Sequence, residues 1–95
     1  MTQKSLSIAP PDNAMWFVYV LLCADQTLYT GIARDVQQRF LLHRKGKGAK
    51  YTKSHRPLRI VFTQEFPTRG DALKREHEIK TWSREEKIYR LSLSL

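Results

Sequence analysis

Ninety-five residues with one cysteine, Cys23, make a single domain of modest core, with no internal disulfide and no cysteine-based zinc cluster. Seventeen Lys and Arg against nine Asp and Glu leave a net charge of +8, which points to an anionic partner. Without a disulfide to maintain, the chain is expected in the cytoplasm.

Residues Met1 to Asn13 are polar, proline-bearing and without periodicity, so they are expected to form a flexible tail ahead of a domain spanning 14–95. The apolar run Ala14 to Ala24 has the length of a signal-peptide core, but only Lys4 precedes it as a cation. Leu22 also stands where cleavage before Cys23 needs a small residue. The run is too short to span a membrane as a helix.

Trp16 to Cys23 is aromatic and β-branched, and predicts a buried strand. Ala24 to Thr27 is polar enough for a hairpin turn, and Leu28 to Ala33 resumes as a second strand. Phe17, Tyr19 and Leu21 then share one face, as do Tyr29, Gly31 and Ala33. A tight hairpin would set the two tyrosine-bearing faces side by side. By residue type alone, both tyrosines read as packing rather than chemistry.

Asp35, with Gln38 three residues on, predicts a helix running to about Lys45, where glycines stop it. Its apolar stripe includes Val36 and Phe40, flanked by Arg39 and His43 one turn apart. A lone histidine in that position reads as a surface residue. The segment from Arg44 to Arg56 reads as a loop, and Leu58 to Phe66, closed by Pro67, as a third strand.

Between Val36 and Gln64 stand eight Lys or Arg residues and no Asp or Glu, while the rest of the chain is neutral. Glycines, Tyr51 and small hydroxyls interleave with those charges, a composition suited to tracking phosphates. The plain alternative is a solvated loop. Thr68 with Asp71 opens a second helix to about Trp82, and Ser83 with Glu86 a third, carrying Ile88 and Leu91. The expected fold is α+β: a small three-stranded, mainly antiparallel sheet flanked by helices.

One carboxylate points the wrong way. Ala72, Leu73 and Ile79 define the inward stripe of the second predicted helix, and Glu76 falls in its middle. A buried carboxylate needs a cation or several donors. Glu76 is therefore either paired, with Lys80 one turn on, or placed to hold a metal ion. Spacing alone favours the ion pair. His77, about 100° around the helix, is no natural co-ligand. No HExxH, Walker loop or GxSxG is present, so the commoner motif-defined enzyme classes are excluded.

From about Phe17 to about Leu91 the chain resembles the GIY-YIG nuclease superfamily. Phe17-Val18-Tyr19-Val20 stands for the first motif and Tyr29-Thr30-Gly31 for the second, with the tyrosines ten apart as the family has them. Arg34-Asp35-Val36-Gln37-Gln38-Arg39 resembles the start of the family's first helix, with Arg39 on the catalytic arginine. His43 falls on a histidine-or-tyrosine site, and Glu76 on the metal-binding glutamate. Phe17 replaces the glycine of the first motif, and Thr30 the isoleucine of the second. Gly46-Lys47-Gly48-Ala49-Lys50-Tyr51-Thr52 is similar to a small stand-alone branch of expected endonucleases, in which Arg44 is often asparagine.

The resemblance implies metal-dependent phosphodiester hydrolysis, with Mg²⁺ or Mn²⁺ on Glu76, DNA favoured over RNA, and repair or recombination as the setting. Arg39 would hold the phosphate, and Tyr19 would serve as general base if nearby positive charge lowered its pKa. Tyr29 would position water or phosphate, and His43 would share proton transfer. Gly31 would permit close approach of backbone or substrate. Arg34, Arg44, Lys45, Lys47, Lys50, Tyr51, Lys53 and Arg56 would face the nucleic acid, without a membrane partner. Two rivals are a non-catalytic nucleic-acid-binding module and an adaptor in a larger repair complex.

Overall fold

The computed structural model describes residues 15–95; the tail expected over Met1–Asn13 lies outside them. Seven elements follow in order: β1 (Trp16–Cys23), β2 (Leu28–Ala33), α1 (Val36–Arg44), α2 (Lys50–Ser54), β3 (Pro57–Phe66), α3 (Arg69–Lys80) and α4 (Arg84–Arg90). The three strands form one sheet in the order β2–β1–β3, with both pairs antiparallel. The α+β class expected from the sequence is the fold observed.

β1 is the central strand, and its composition explains why. Val18 through Cys23 are all buried, so the strand is covered on both faces and carries a continuous apolar run. Val18, Val20 and Leu22 pack against Ala72, Ile79 and Leu91 of the α3–α4 layer. Tyr19 and Leu21 face the opposite way, into a smaller cluster with Ala33, Val36, Phe40 and Ile60. Helices thus lie on both sides of the sheet.

The β1–β2 connection is held locally. Asp25 accepts hydrogen bonds from the Thr27 amide and hydroxyl, and Gln26 takes the left-handed conformation at φ 72°. β3 begins one residue earlier than expected, at Pro57, which needs no amide proton at a strand's first position.

Each longer helix opens on the residue that predicted it. Asp35 accepts from the Gln38 amide and Thr68 from the Asp71 amide. Ser83 and Glu86 form a reciprocal capping box. α3 stops at Lys80, two residues short of the expected end, and Thr81 caps it through the Glu78 carbonyl.

One expectation needs correction. The span from Arg44 to Arg56 is not wholly loop, because Lys50–Ser54 forms a turn and a half of helix. Five residues are too few for a hydrophobic period to register.

Candidate active site

The β1–β2 register sets Tyr19 opposite Gly31 and Leu21 opposite Tyr29. Both phenol rings therefore lie on one face, with centroids 6.3 Å apart. Gly31 is what lets Tyr19 cross the second strand. A Cβ at position 31 would lie 2.6 Å from the Tyr19 hydroxyl, and Tyr19, 1% exposed, has nowhere to retreat.

His43, expected at the surface, is buried at 1% exposure. The cause is the chain that follows α1. It doubles back over the imidazole, passing so close at Gly48 that any Cβ there would overlap the ring. α2 then delivers Thr52 to the far side of the histidine. Tyr19 Oη lies 2.8 Å from His43 Nε2, and His43 Nδ1 lies 2.7 Å from Thr52 Oγ1. The Thr52 hydroxyl donates to the Ala49 carbonyl at 2.9 Å.

These contacts assign the protons. A threonine hydroxyl that donates to Ala49 must accept from Nδ1–H, which leaves Nε2 to accept from Tyr19 O–H. The Ala49 amide also points at Nδ1, at 3.3 Å, and would suit the other tautomer. The two shorter bonds form one consistent chain, so we assign the proton to Nδ1.

Burial holds both groups uncharged. It drives the Tyr19 pKa well above the usual tyrosine value, helped by Tyr29 and by the Glu76 carboxylate; Arg39 opposes it by hydrogen bonding and by charge. Burial, then the charge of Arg39, lowers the pKa of His43. The lowering by Arg39 is outweighed by desolvation, so the condition for Tyr19 as a lone base is not met. The pair is a neutral phenol against a neutral imidazole.

Arg39 is exposed, one turn before His43 on α1, and its charge acts on both Tyr19 and His43. Glu76 comes from α3 in the opposite layer, 8% exposed, with Oε2 3.1 Å from Lys80 Nζ. The ion pair that spacing favoured is thus present. Among the described residues no other donor reaches that carboxylate, and no three His, Cys, Asp or Glu side chains converge. The donor set suits a hard divalent cation that takes one carboxylate from the protein and its other ligands from water and phosphate.

The expected nucleic-acid contacts divide into two places. Arg44, Lys45, Lys47, Lys50, Lys53 and Arg56 are all exposed on α1, α2 and their connections. Arg34 lies instead at the end of β2, its guanidinium 5.2 Å over Trp16. Tyr51, 36% exposed, is stacked between Tyr29 and His55, at 5.7 and 3.9 Å. His55 Nδ1 in turn meets Asp25 Oδ2 at 2.5 Å, tying α2 to the β1–β2 turn. The sequence assigns no site role to Thr52, Asp25 or His55. No periodicity marks them, and a threonine nine residues from a histidine has meaning only once α2 is known.

Residues 15–89 match the GIY-YIG catalytic domain model. A UPF0213 protein of Staphylococcus saprophyticus is 47% identical over 76 residues, covering 80% of this chain and 93% of the relative. One from Staphylococcus epidermidis is 51% identical over 72 residues, covering 76% and 88%. The solution NMR structure of a UPF0213 protein from Bacillus halodurans superposes with a TM-score of 0.53 at 42% identity, covering 82% of this chain and 83% of that one. A solution NMR structure from E. faecalis gives 0.58 at 34% identity, with the same coverage. No helix among the described residues is long and apolar enough to cross a membrane. With the tyrosine pair, the helix-borne arginine and the inward glutamate in place, the chain belongs to the GIY-YIG catalytic domain family, among its UPF0213 members.

Proposed function

We propose that this protein is a divalent-metal-dependent endonuclease that hydrolyses phosphodiester bonds, with DNA its first candidate polymer. The observation that carries the reading is the buried chain Tyr19–His43–Thr52–Ala49, beside an exposed arginine. A binding module needs no buried proton path beneath its surface.

The chemistry divides among the residues as follows. Water attacking phosphorus gives a proton to Tyr19 Oη, as Tyr19 passes its own to His43 Nε2. The Nδ1–H bond to Thr52 keeps the ring oriented and supports the imidazolium that results. Arg39 presents a planar, permanently charged fork to the non-bridging oxygens, where transition-state charge gathers. Tyr29, edge-on to His43 at 5.1 Å, orients the water or the phosphate. Glu76 would hold Mg²⁺ or Mn²⁺, which when bound supplies Lewis-acid stabilisation of the leaving 3′ oxygen.

The test incubates purified protein with branched, nicked and single-stranded DNA and with RNA, in Mg²⁺, Mn²⁺ or EDTA. Arg39→Ala and Glu76→Ala should each lower cleavage by about 10²- to 10³-fold, the scale of losing one charge-stabilising group. Cleavage that persists unchanged in either variant would belong to a contaminant and end the catalytic assignment.

A further inference from the structure

A buried carboxylate normally gathers several donors, yet Glu76 has one ammonium on one oxygen, 3.1 Å away. That ammonium is the mobile kind. The Lys80 side chain is 49% exposed, and a half-exposed i,i+4 pair is worth little. Nearby stands its opposite. Lys87 on α4 is 9% exposed and donates to the Thr30 hydroxyl at 3.1 Å. Burial first, and the charge of Lys80 second, hold the Lys87 pKa below its ordinary value. One buried carboxylate therefore rests on a single cation whose side chain lies half in solvent.

We propose that Lys80 is an exchangeable cation on Glu76, which occupies the carboxylate until a phosphodiester arrives and so couples divalent-ion binding to nucleic-acid binding. The inference rests on the endonuclease reading, in which Glu76 is the metal ligand. A divalent ion on Glu76 must displace that ammonium, and the contact between the two cations is repulsive. A phosphate changes the balance. Its charge attracts the released Lys80, and its oxygens supply ligands to the ion. Metal and polymer then favour each other, and linkage makes the gain reciprocal. Without nucleic acid, the protein should bind divalent ions poorly. A bare nuclease site is thereby kept from loading before its substrate is present.

The experiment reads metal binding directly, by loss of the free Mn²⁺ electron paramagnetic resonance signal, in the absence of nucleic acid. Wild type, Lys80→Met, Lys80→Arg and Glu76→Gln are compared, with thermal melts confirming that each is folded. Removing one ammonium beside a doubly charged ion should tighten Mn²⁺ binding by about tenfold in Lys80→Met. Lys80→Arg keeps the charge and should bind as weakly as wild type, a distinction that a purely structural lysine would not produce. In parallel, Mn²⁺ should tighten wild-type binding to a fluorescent, hydrolysis-resistant phosphorothioate oligonucleotide more than it does for Lys80→Met.

Equal Mn²⁺ affinity in wild type and Lys80→Met, or no measurable binding by either, overturns the inference. If Glu76→Gln nevertheless weakens binding, Glu76 remains the ligand and only the role of Lys80 is lost. Should Glu76→Gln bind as wild type does, the ion is not held by Glu76, and the metal assignment underlying the endonuclease reading fails with it.

Discussion

Tyr19 reaches His43 at 2.8 Å with both groups held neutral by burial, and their pairing sets how the reaction should respond to pH. A phenol working alone would need to lose its proton, so the rate would climb about tenfold per pH unit to at least pH 10. Coupled to a neutral imidazole, the phenol needs no such ionisation. The rate then levels once His43 is uncharged. Burial first, and the charge of Arg39 second, place that step below the ordinary 6.5. Single-turnover cleavage should therefore be flat above about pH 7, with an acid limb below 6.5. A rate still climbing at pH 9 would remove His43 from the proton path. The same shift carries a stability sign. The unfolded imidazole takes its proton near 6.5 and the folded one only at lower pH, so the unfolded state binds more protons in between. The contribution of neutral His43 is complete above 6.5 and is lost as pH falls from there through the folded value. A proton NMR titration of the imidazole ring should give a midpoint under 6.5.

Between α1 and α2 the chain makes its tightest turn over functional groups, and Gly48 is where substitution should show it. A Cβ there meets a His43 ring that is buried and bonded at both nitrogens, so the backbone must move instead. Gly48→Ala should cost about 1–3 kcal/mol in urea unfolding, as overpacking does, and lower cleavage beyond what the unfolded fraction explains. Gly70→Ala, where a Cβ meets only Thr68 Oγ1 at 3.9 Å, should be neutral or stabilising by about 0.5–1 kcal/mol. Destabilisation by both alike would mean that Gly48 has no special place. The contrast also marks what the sequence discloses. β1, β2 and the caps at Asp35, Thr68 and Ser83 were legible because each rests on a local rule, either strand composition or a side chain three residues from its amide. Glu76 was legible as an anomaly of period, and Arg39 through its place in the family pattern. α2 was not, since Lys50 to Ser54 carries no apolar repeat. Without α2, neither the burial of His43 nor the role of Thr52 can be inferred. The condition set on Tyr19, a pKa lowered by nearby charge, is not met for a related reason: the sequence displays nearby charges but not the desolvation that outweighs them.

For the molecule as a whole, the excess charge belongs to one stretch of chain. All eight Lys and Arg residues between Val36 and Gln64 are exposed, with no acidic residue among them. α2 explains how this charge coexists with a proton path: Thr52 turns inward to His43 while Lys50 and Lys53 remain in solvent. Residues a few positions apart can thus serve chemistry and attraction separately. Charges of this kind act through released counterions, so their contribution is read from the salt dependence of binding rather than from a single affinity. Each phosphate contact adds about 0.9 to the slope of log K against log salt on duplex DNA, and about 0.7 on single strands. Replacing Lys47, Lys50 and Lys53 with Gln should therefore lower the slope by roughly 2 to 3 and weaken binding most at low salt. Fluorescence anisotropy on labelled duplex and single-stranded oligonucleotides, in Ca²⁺ or EDTA from 50 to 300 mM KCl, would measure it. Because these lysines offer no evident reading of base edges, the loss should be alike across sequences. If the triple variant keeps the wild-type slope, the phosphate track lies elsewhere on the molecule. The pair to neutralise next is Arg34 and Arg69, both over the Trp16 ring, at 5.2 and 5.7 Å.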